Sequence, residues 1–179
     1  MSSEIKYNNL IESLITISKQ AGEAILKIYE LDDLGISHKK DNSPLTLADK
    51  ASNEVICSKL KALTPNIPIL SEEGKDISFD KRKNWDTFWL IDPLDGTKEF
   101  IKKNGEFSVN IALINHFKPI LGIVYAPVLD TTWYGSASEG SFKIIEKGKP
   151  EKINVLKYDD NETVKVISSR SHSNNTKLD

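Results

Sequence analysis

The sequence has little cysteine, no surplus of either charge and no long apolar run, and each of these absences excludes a class of protein. Its one cysteine, Cys57, cannot form a disulfide within the chain. The 24 lysines and arginines against 26 aspartates and glutamates give a net charge of −2, which argues against a general binder of nucleic acid or anionic membranes. No basic-then-apolar leader opens the chain and no apolar run approaches membrane-spanning length, so we expect a cytoplasmic protein.

The hydrophobic pattern predicts helices in the first part of the chain and strands in the rest. Apolar side chains recur at helical spacing over residues 4–29 and again in a second helix that ends at about Leu63. Strand patterns occupy seven segments, namely residues 67–70, 88–91, 107–114, 120–125, 131–134, 141–145 and 164–167. We therefore predict one domain over residues 1–179 of class α+β, in which two long helices pack on a largely antiparallel sheet.

The most informative stretch is residues 88–97, where an apolar strand ends in two aspartates. Asp92 and Asp95 have a proline between them, and a glycine and a threonine follow before a short helical pattern at residues 98–103. Two carboxylates at the end of a buried strand repel each other and lose hydration, so such a pair usually needs a cation. Oxygen ligands, the Leu94 carbonyl among them, favour hard cations such as Mg²⁺. Free N–H groups at the start of a helix suit phosphate, so the stretch predicts a metal-assisted phosphate site.

Each part of this pattern also has a plainer interpretation. Asp-Pro and Asp-Gly are common turn dipeptides, and Asp95 could simply cap a helix. The turn out of the strand that we expect at Pro93, which lacks an N–H, would however also bring both carboxylates to one side. Asp49 falls in the first turn of the second helix, where the helix dipole favours a carboxylate, and sequence alone favours that role. Glu72 and Glu73 follow a short strand and are ordinarily solvated, although one of them would join the aspartates if the two strands lie side by side. For the arrangement as a whole we favour the metal site.

Several segments resemble the inositol monophosphatase superfamily, whose members are magnesium-dependent and lithium-sensitive. The core of the resemblance is residues 89–100, which contain Asp-Pro-Leu-Asp-Gly-Thr at positions 92–97, together with Ile-Leu-Ser-Glu-Glu at 69–73. Four further segments look closer still to the CysQ branch of 3′(2′),5′-bisphosphate nucleotidases, at residues 43–49, 104–114, 118–128 and 167–172. The resemblance runs in order over nearly all of the chain.

The resemblance implies hydrolysis of the 3′-phosphate of adenosine 3′,5′-bisphosphate to AMP and phosphate, with two or more Mg²⁺ ions as cofactors. The metal ligands that it implies are Glu72, Asp92, the Leu94 carbonyl and Asp95. The substrate-binding residues that it implies are Glu72, Leu94, Asp95, Gly96 and Thr97. The catalytic residues that it implies are Asp49, Glu72 and Thr97, with the Thr97 hydroxyl linked to Asp49 and orienting the attacking water. Bridging metals neutralise a phosphate dianion and activate water, so no cysteine or histidine nucleophile is needed.

The resemblance also implies a longer protein. Family members continue through a C-terminal subdomain that supplies a further metal-binding aspartate in a Trp-Asp motif, whereas the only Trp-Asp here, Trp85-Asp86, precedes the central strand. We therefore expect this chain to form the N-terminal portion of a sugar-phosphatase-like layered α/β sandwich. An exposed sheet edge at residues 164–168 would then invite pairing with a partner. Ser169 and His172 match positions near the nucleotide in some relatives.

Two other functions stay open. One keeps the chemistry and changes the substrate to inositol monophosphate. The other is an inactive fragment that binds metal or nucleotide, or that pairs with another chain. A small phosphate monoester, and not a nucleic-acid polymer, is the expected partner. The resemblance leaves room for a homodimer and for peripheral association with the inner membrane face.

Overall fold

Two long helices pack on one face of a mixed sheet in the computed structural model, which describes residues 9–39, 44–157 and 163. The helices are α1 (Ile11–Tyr29), α2 (Leu47–Leu63), α3 (Phe79–Arg82) and α4 (Thr97–Ile101). The strands are β1 (Ser37–His38), β2 (Pro44–Leu45), β3 (Ile69–Ser71), β4 (Thr87–Asp95), β5 (Ser108–Asn115), β6 (Lys118–Ala126), β7 (Thr131–Ser136), β8 (Gly140–Ile145) and β9 (Glu151–Ile153).

The two long helices form where their apolar stripes and end signals predict them. In α1 the buried residues Leu14, Ile17, Ala21 and Ile25 recur at three- and four-residue spacing and face the sheet. A 3₁₀ turn at residues 9–10 leads into this helix, and residues 4–8 of the predicted span lie outside the described part. A capping box starts α2, which ends at Leu63 because the proline two residues later cannot continue a helix. No described helix is long and apolar enough to cross a membrane.

The main sheet has the strand order β3-β4-β5-β6-β7-β8-β9 in the described residues. The pair β3 and β4 is parallel, and every later pair is antiparallel, so the predicted meander and the α+β class are confirmed. Sequence analysis missed β9, because two of its three residues are charged and it has no apolar pattern. The strand predicted at residues 164–167, with its sheet edge, lies outside the described residues, and the single-domain boundary stays a prediction.

The strand β4 continues through Pro93, and the prediction that the chain turns out of the strand there was wrong. Asp92 pairs with Asn110 and Asp95 pairs with Ser108, so three steps along β4 oppose two steps along β5. This extra residue is a β-bulge, where a proline is tolerated because its missing N–H leaves no ladder bond unmade. The helix after it begins one residue earlier than predicted and ends at Ile101.

The core lies between the helices and the near face of the central strands. Trp89 is completely buried, and its Nε1 donates to the Thr64 hydroxyl 2.9 Å away. Ile91 and Val109 point to the same layer as Leu14 of α1. The carboxyl end of β4, where the aspartates lie, is held near the early turns of α2, because the Ser52 hydroxyl donates to the Pro93 carbonyl at 2.7 Å.

Candidate active site

The parallel pairing of β3 with β4 brings Glu72 next to Asp92. Ser71 is the cross-strand neighbour of Ile91, and the Glu72 N–H donates to the Ile91 carbonyl at 3.0 Å. Because the two strands run in the same direction, the residue that follows each of them emerges at the same edge of the sheet. The carboxyl groups of Glu72 and Asp92 are close enough there to share a hydrogen bond when one of them is protonated. The two strands therefore lie side by side, which is the arrangement under which we expected a glutamate to join the aspartates.

The environment of Asp92 disfavours its charged form. Burial, the charges of Glu72 and Asp95, and the hydrogen bond with Glu72 together raise the pKa of Asp92 from 3.8 to about 7. The Leu94 N–H, 3.2 Å from Asp92 Oδ1, opposes this shift of the pKa. Near neutral pH the Asp92 carboxyl of the metal-free protein is therefore partly protonated, and a bound cation would displace that proton.

The raised pKa of Asp92 predicts how the stability of the metal-free protein depends on pH. Between pH 4 and pH 7 the folded chain retains a proton on Asp92 that the unfolded chain has already released. In EDTA the free energy of unfolding should therefore fall as the pH rises through this window. Urea unfolding at several pH values measures this slope. A slope that is no steeper than that of Asp92→Asn would contradict the prediction.

Asp95 is exposed at the end of the bulge, and Asn110 orients it. Asn110 Nδ2 donates to Asp95 Oδ2 at 3.2 Å, and Asn110 is also the cross-strand neighbour of Asp92. Sequence analysis did not identify Asn110, because a polar residue at an alternate position of a strand is ordinary. One amide thus lies beside both aspartates.

Asp49 connects the start of α2 to Thr97. Its carboxylate is almost fully buried, and Oδ2 accepts hydrogen bonds from the Thr46 N–H at 2.7 Å and from the Thr46 hydroxyl at 2.6 Å. The other oxygen, Oδ1, accepts from the Thr97 hydroxyl at 3.2 Å. The Thr97 hydroxyl also lies 3.4 Å from the Leu94 carbonyl. Asp49 thus lies in the first turn of α2, as the sequence predicts, where one carboxylate oxygen completes the capping box. Its second oxygen is directed at Thr97.

Gly96 makes the sharp turn between β4 and α4. Its φ of +95° lies in the left-handed region, and a Cβ there would be 2.8 Å from the Glu106 carbonyl oxygen. Any other residue here would have a strained backbone, and its Cβ would clash with the Glu106 carbonyl. Gly96 therefore sets the position from which the Thr97 hydroxyl reaches Asp49.

Replacing Gly96 with alanine should reduce the free energy of unfolding by about 1–3 kcal/mol, because a left-handed alanine is strained and its Cβ meets backbone. Chemical denaturation measures the loss. Gly122→Ala is the matched control, since a Cβ at Gly122 meets only the Ile111 carbonyl oxygen at 3.9 Å. Equal stability of the two variants would show that the turn at Gly96 tolerates a side chain.

Lys39 approaches the acids from the segment that follows β1. Its Nζ lies 2.8 Å from Glu72 Oε1 and 2.5 Å from Glu73 Oε1. Burial alone would lower the pKa of Lys39, but hydrogen bonds to these two glutamates and their charges raise it above its ordinary value. Burial also raises the pKa of Glu73, against the effect of Lys39. Sequence analysis did not single out Lys39, since nothing in the spacing of this polar turn distinguishes it from a solvated lysine.

A cavity of about 1000 Å³ lies beside these groups, and Lys39 is among the residues that line it, whereas Asp49, Glu73 and Asn110 are not. Its wall includes the predicted site residues Glu72, Asp92, Leu94, Asp95, Gly96 and Thr97. Apolar side chains form another part of the wall, among them Phe107, Val128 and Leu129. A smaller cavity of about 310 Å³ on the sheet has no charged side chain among its described lining residues, so it does not suit a phosphate. The larger cavity is the candidate active site.

The donor set at this cavity suits a hard divalent cation. Glu72, Asp92 and Asp95 supply carboxylate oxygens, and the Leu94 carbonyl belongs to the same bulge. The pKa of Asp92 is raised by its burial and by the charges of Glu72 and Asp95, and no described cationic side chain forms an ion pair with Asp92 itself. Among the described residues, no three acidic, histidine or cysteine side chains are close enough to hold one ion as they stand. Glu72 forms an ion pair with Lys39, and Asp95 accepts a hydrogen bond from Asn110. The side chains of both acids would therefore have to rotate to bind a metal ion together.

Cys57 does not line this cavity. Ser169 and His172 lie outside the described residues. Cys57 is half-buried in α2, where its thiol lies 3.3 Å from Asn53 Oδ1 and burial raises its pKa. A raised pKa keeps the thiol protonated and poorly reactive, in line with a packing role.

Comparisons with known proteins support a single family. A model described as the inositol monophosphatase family matches residues 6–178. The chain is 46% identical to 3′(2′),5′-bisphosphate nucleotidase CysQ of Escherichia coli (strain K12) over 165 residues, which are 92% of this chain and 65% of that protein. It is 41% identical to the CysQ nucleotidase of Buchnera aphidicola subsp. Acyrthosiphon pisum (strain APS) over 171 residues, which are 95% of this chain and 63% of that protein.

A solved structure gives the same result. The crystal structure of CysQ from Bacteroides thetaiotaomicron, a bacterial member of the inositol monophosphatase family, matches with a TM-score of 0.67 and 39% sequence identity. The match covers 80% of this chain and 57% of that one. This chain therefore spans less than two-thirds of the length of the relatives that it matches.

Proposed function

Because this chain belongs to the inositol monophosphatase family, we propose that it is a magnesium-dependent phosphomonoesterase acting on adenosine 3′,5′-bisphosphate. The products are AMP and inorganic phosphate. The names of the relatives, both 3′(2′),5′-bisphosphate nucleotidases, support this substrate. The observation that carries the proposal is the meeting of Glu72, Asp92 and the Asp49–Thr97 hydrogen bond at one cavity.

The proposed metal ligands are the oxygen atoms at the end of β4 and at the end of β3, namely Glu72, Asp92, the Leu94 carbonyl and Asp95. When bound, two or more Mg²⁺ ions supply charge neutralisation of the phosphate and a lowered pKa for the attacking water. The proximity of Asp92 to the charges of Glu72 and Asp95 supports this assignment, because a cation bound there would relieve their repulsion.

In this proposal the Thr97 hydroxyl, hydrogen-bonded to Asp49, orients the attacking water and helps to remove its proton. The Thr97 hydroxyl donates to Asp49 Oδ1, so its own lone pairs are free to accept from a water molecule in the cavity. Thr46 fixes the orientation of Asp49 through two short hydrogen bonds to Oδ2. Glu72 assists in positioning the water. The backbone N–H groups of Gly96 and Thr97 bind the phosphate, since the first N–H groups of a helix lack helical partners.

The cellular setting belongs to the same proposal. We place the chain in the cytoplasm, because its single thiol cannot form an intrachain disulfide and the proposed substrate is a small phosphorylated metabolite. A homodimer and peripheral contact with the inner membrane face remain expectations from the family resemblance.

Phosphate release by this exact chain tests the proposal. Adenosine 3′,5′-bisphosphate and inositol monophosphate are compared as substrates, with and without Mg²⁺, and with EDTA as the metal-free control. We expect magnesium-dependent release from the bisphosphate in preference to inositol monophosphate. The opposite preference would support the inositol monophosphatase alternative. Magnesium binding without hydrolysis of either substrate would support the non-enzymatic alternative.

A further inference from the structure

Lys39 is held beside the acids by a short stretch of regular structure. It follows β1, which pairs with β2 through Ser37 with Leu45 and His38 with Pro44. The Ser37 hydroxyl also donates to the Leu45 carbonyl at 3.2 Å. Because β2 leads directly into the capped start of α2, the backbone before Lys39 is tied to the element that carries Asp49.

The Lys39 ammonium is shared between two carboxylates. It lies 2.8 Å from Glu72 Oε1 and 2.5 Å from Glu73 Oε1, and the Lys39 and Glu73 side chains are only 22% and 9% exposed. The Glu72 side chain is 53% exposed, so it is the more easily released of the two partners. The Lys39–Glu73 pair is therefore partly buried and weakly screened, whereas the Lys39–Glu72 pair is exposed to solvent and is screened like a surface ion pair.

We define the acid cluster as Glu72, Glu73, Asp92 and Asp95. Among the described residues, Lys39 is the only cationic side chain that forms an ion pair with a member of this cluster. Glu72 is also the member that the parallel pairing of β3 with β4 places next to Asp92. Lys39 thus compensates the cluster through the same carboxylate that the proposed metal site requires.

We propose that Lys39 is a built-in counter-ion of the acid cluster, which stabilises the metal-free site and competes with Mg²⁺ for Glu72. This inference rests on the proposed function. An ammonium and a divalent cation on neighbouring carboxylate oxygens repel each other, so Lys39 weakens metal binding for as long as it stays in place. Lys39 does not touch a reacting atom in this assignment and acts through Glu72 as a positioning residue.

The test compares Lys39→Met, which removes the charge, with Lys39→Arg, which keeps it. Lys83→Met is the matched control, because Lys83 pairs with Asp80 on the surface, away from the cavity. Each variant is stripped with EDTA, and its melting temperature and circular dichroism are recorded. Mg²⁺ is then titrated by calorimetry at low and high ionic strength.

We expect Lys39→Met to melt at a lower temperature than Lys83→Met in EDTA and to bind Mg²⁺ about tenfold more tightly at low salt, since a partly screened like charge has been removed. The difference in affinity should shrink at high salt. Lys39→Arg should bind Mg²⁺ as the wild type does. Unchanged or weaker Mg²⁺ binding by a folded Lys39→Met would overturn the proposal.

The failure of this proposal is distinct from the failure of the proposed function. A wild-type chain that binds Mg²⁺ and releases phosphate, alongside a Lys39→Met variant with the same affinity, overturns only the role of Lys39. A wild-type chain that binds no Mg²⁺ overturns the proposed metal site, and the competition assigned to Lys39 with it.

Discussion

Asp92→Asn should lower magnesium-dependent phosphate release by more than about a hundredfold, since even changes outside the ligand shell of a metal cost roughly 10- to 100-fold. The substitution keeps the shape of the side chain and removes the negative charge that the proposed metal requires. Asp92 also lies between the other two acids, because the charges of both Glu72 and Asp95 raise its pKa. Steady-state phosphate release measures the loss.

Stability separates this functional loss from a structural one. In EDTA at neutral pH, Asp92→Asn should be at least as stable as the wild type, because the substitution removes a partly buried charge that Glu72 and Asp95 repel. Asp80→Asn, which removes a charge of the same sign from the surface helix α3, is the control for activity. Loss of the folded circular dichroism spectrum in Asp92→Asn would instead show that the residue is structural.

Thr97→Ala should lower turnover by about 10²–10⁴-fold, the range typical of a lost general-base contact, while changing Mg²⁺ affinity little. The Thr97 hydroxyl contacts Asp49 Oδ1 and the Leu94 carbonyl, and its assigned role is toward water. Turnover is measured at saturating Mg²⁺, and affinity by calorimetry on the same preparations. The split between the two quantities is the informative result.

Thr97→Ser supplies the matched comparison, because it keeps the hydroxyl and removes only a methyl group. It should retain most of the turnover that Thr97→Ala loses. Equal losses of turnover and Mg²⁺ affinity in Thr97→Ala would assign Thr97 to the metal site and not to the orientation of water. Loss of turnover in both variants would mean that the packing of the methyl group matters more than the hydroxyl.

The fold class and the family were predictable from the sequence because local patterns encode them. The period of the apolar residues located α1, α2 and the meander, and the spacing of acids around Pro93 indicated the family, which the comparisons confirm. The bulge in β4 was not predictable, since the register between β4 and β5 is fixed by packing along the whole strands. The roles of the individual site residues remain predictions.

Lys39 and Asn110 show why part of the site could not be found from sequence. Each contacts an acid that is distant along the chain, Glu72 for Lys39 and Asp95 for Asn110. Their own neighbours give no signal, because a lysine in a polar turn and an asparagine in an alternating strand are ordinary. Such residues become visible only when the sheet brings the segments together.

The strand that leads to Glu72 is one of the two short edge strands of its sheet in the described residues. β3 has three residues and pairs with β4 alone, whereas β4 is bonded on both sides. Short edge strands open locally at a much lower free-energy cost than core strands, and they do so without global unfolding. Local opening of β3 would therefore separate Glu72 from Asp92 while the core of the chain remains folded.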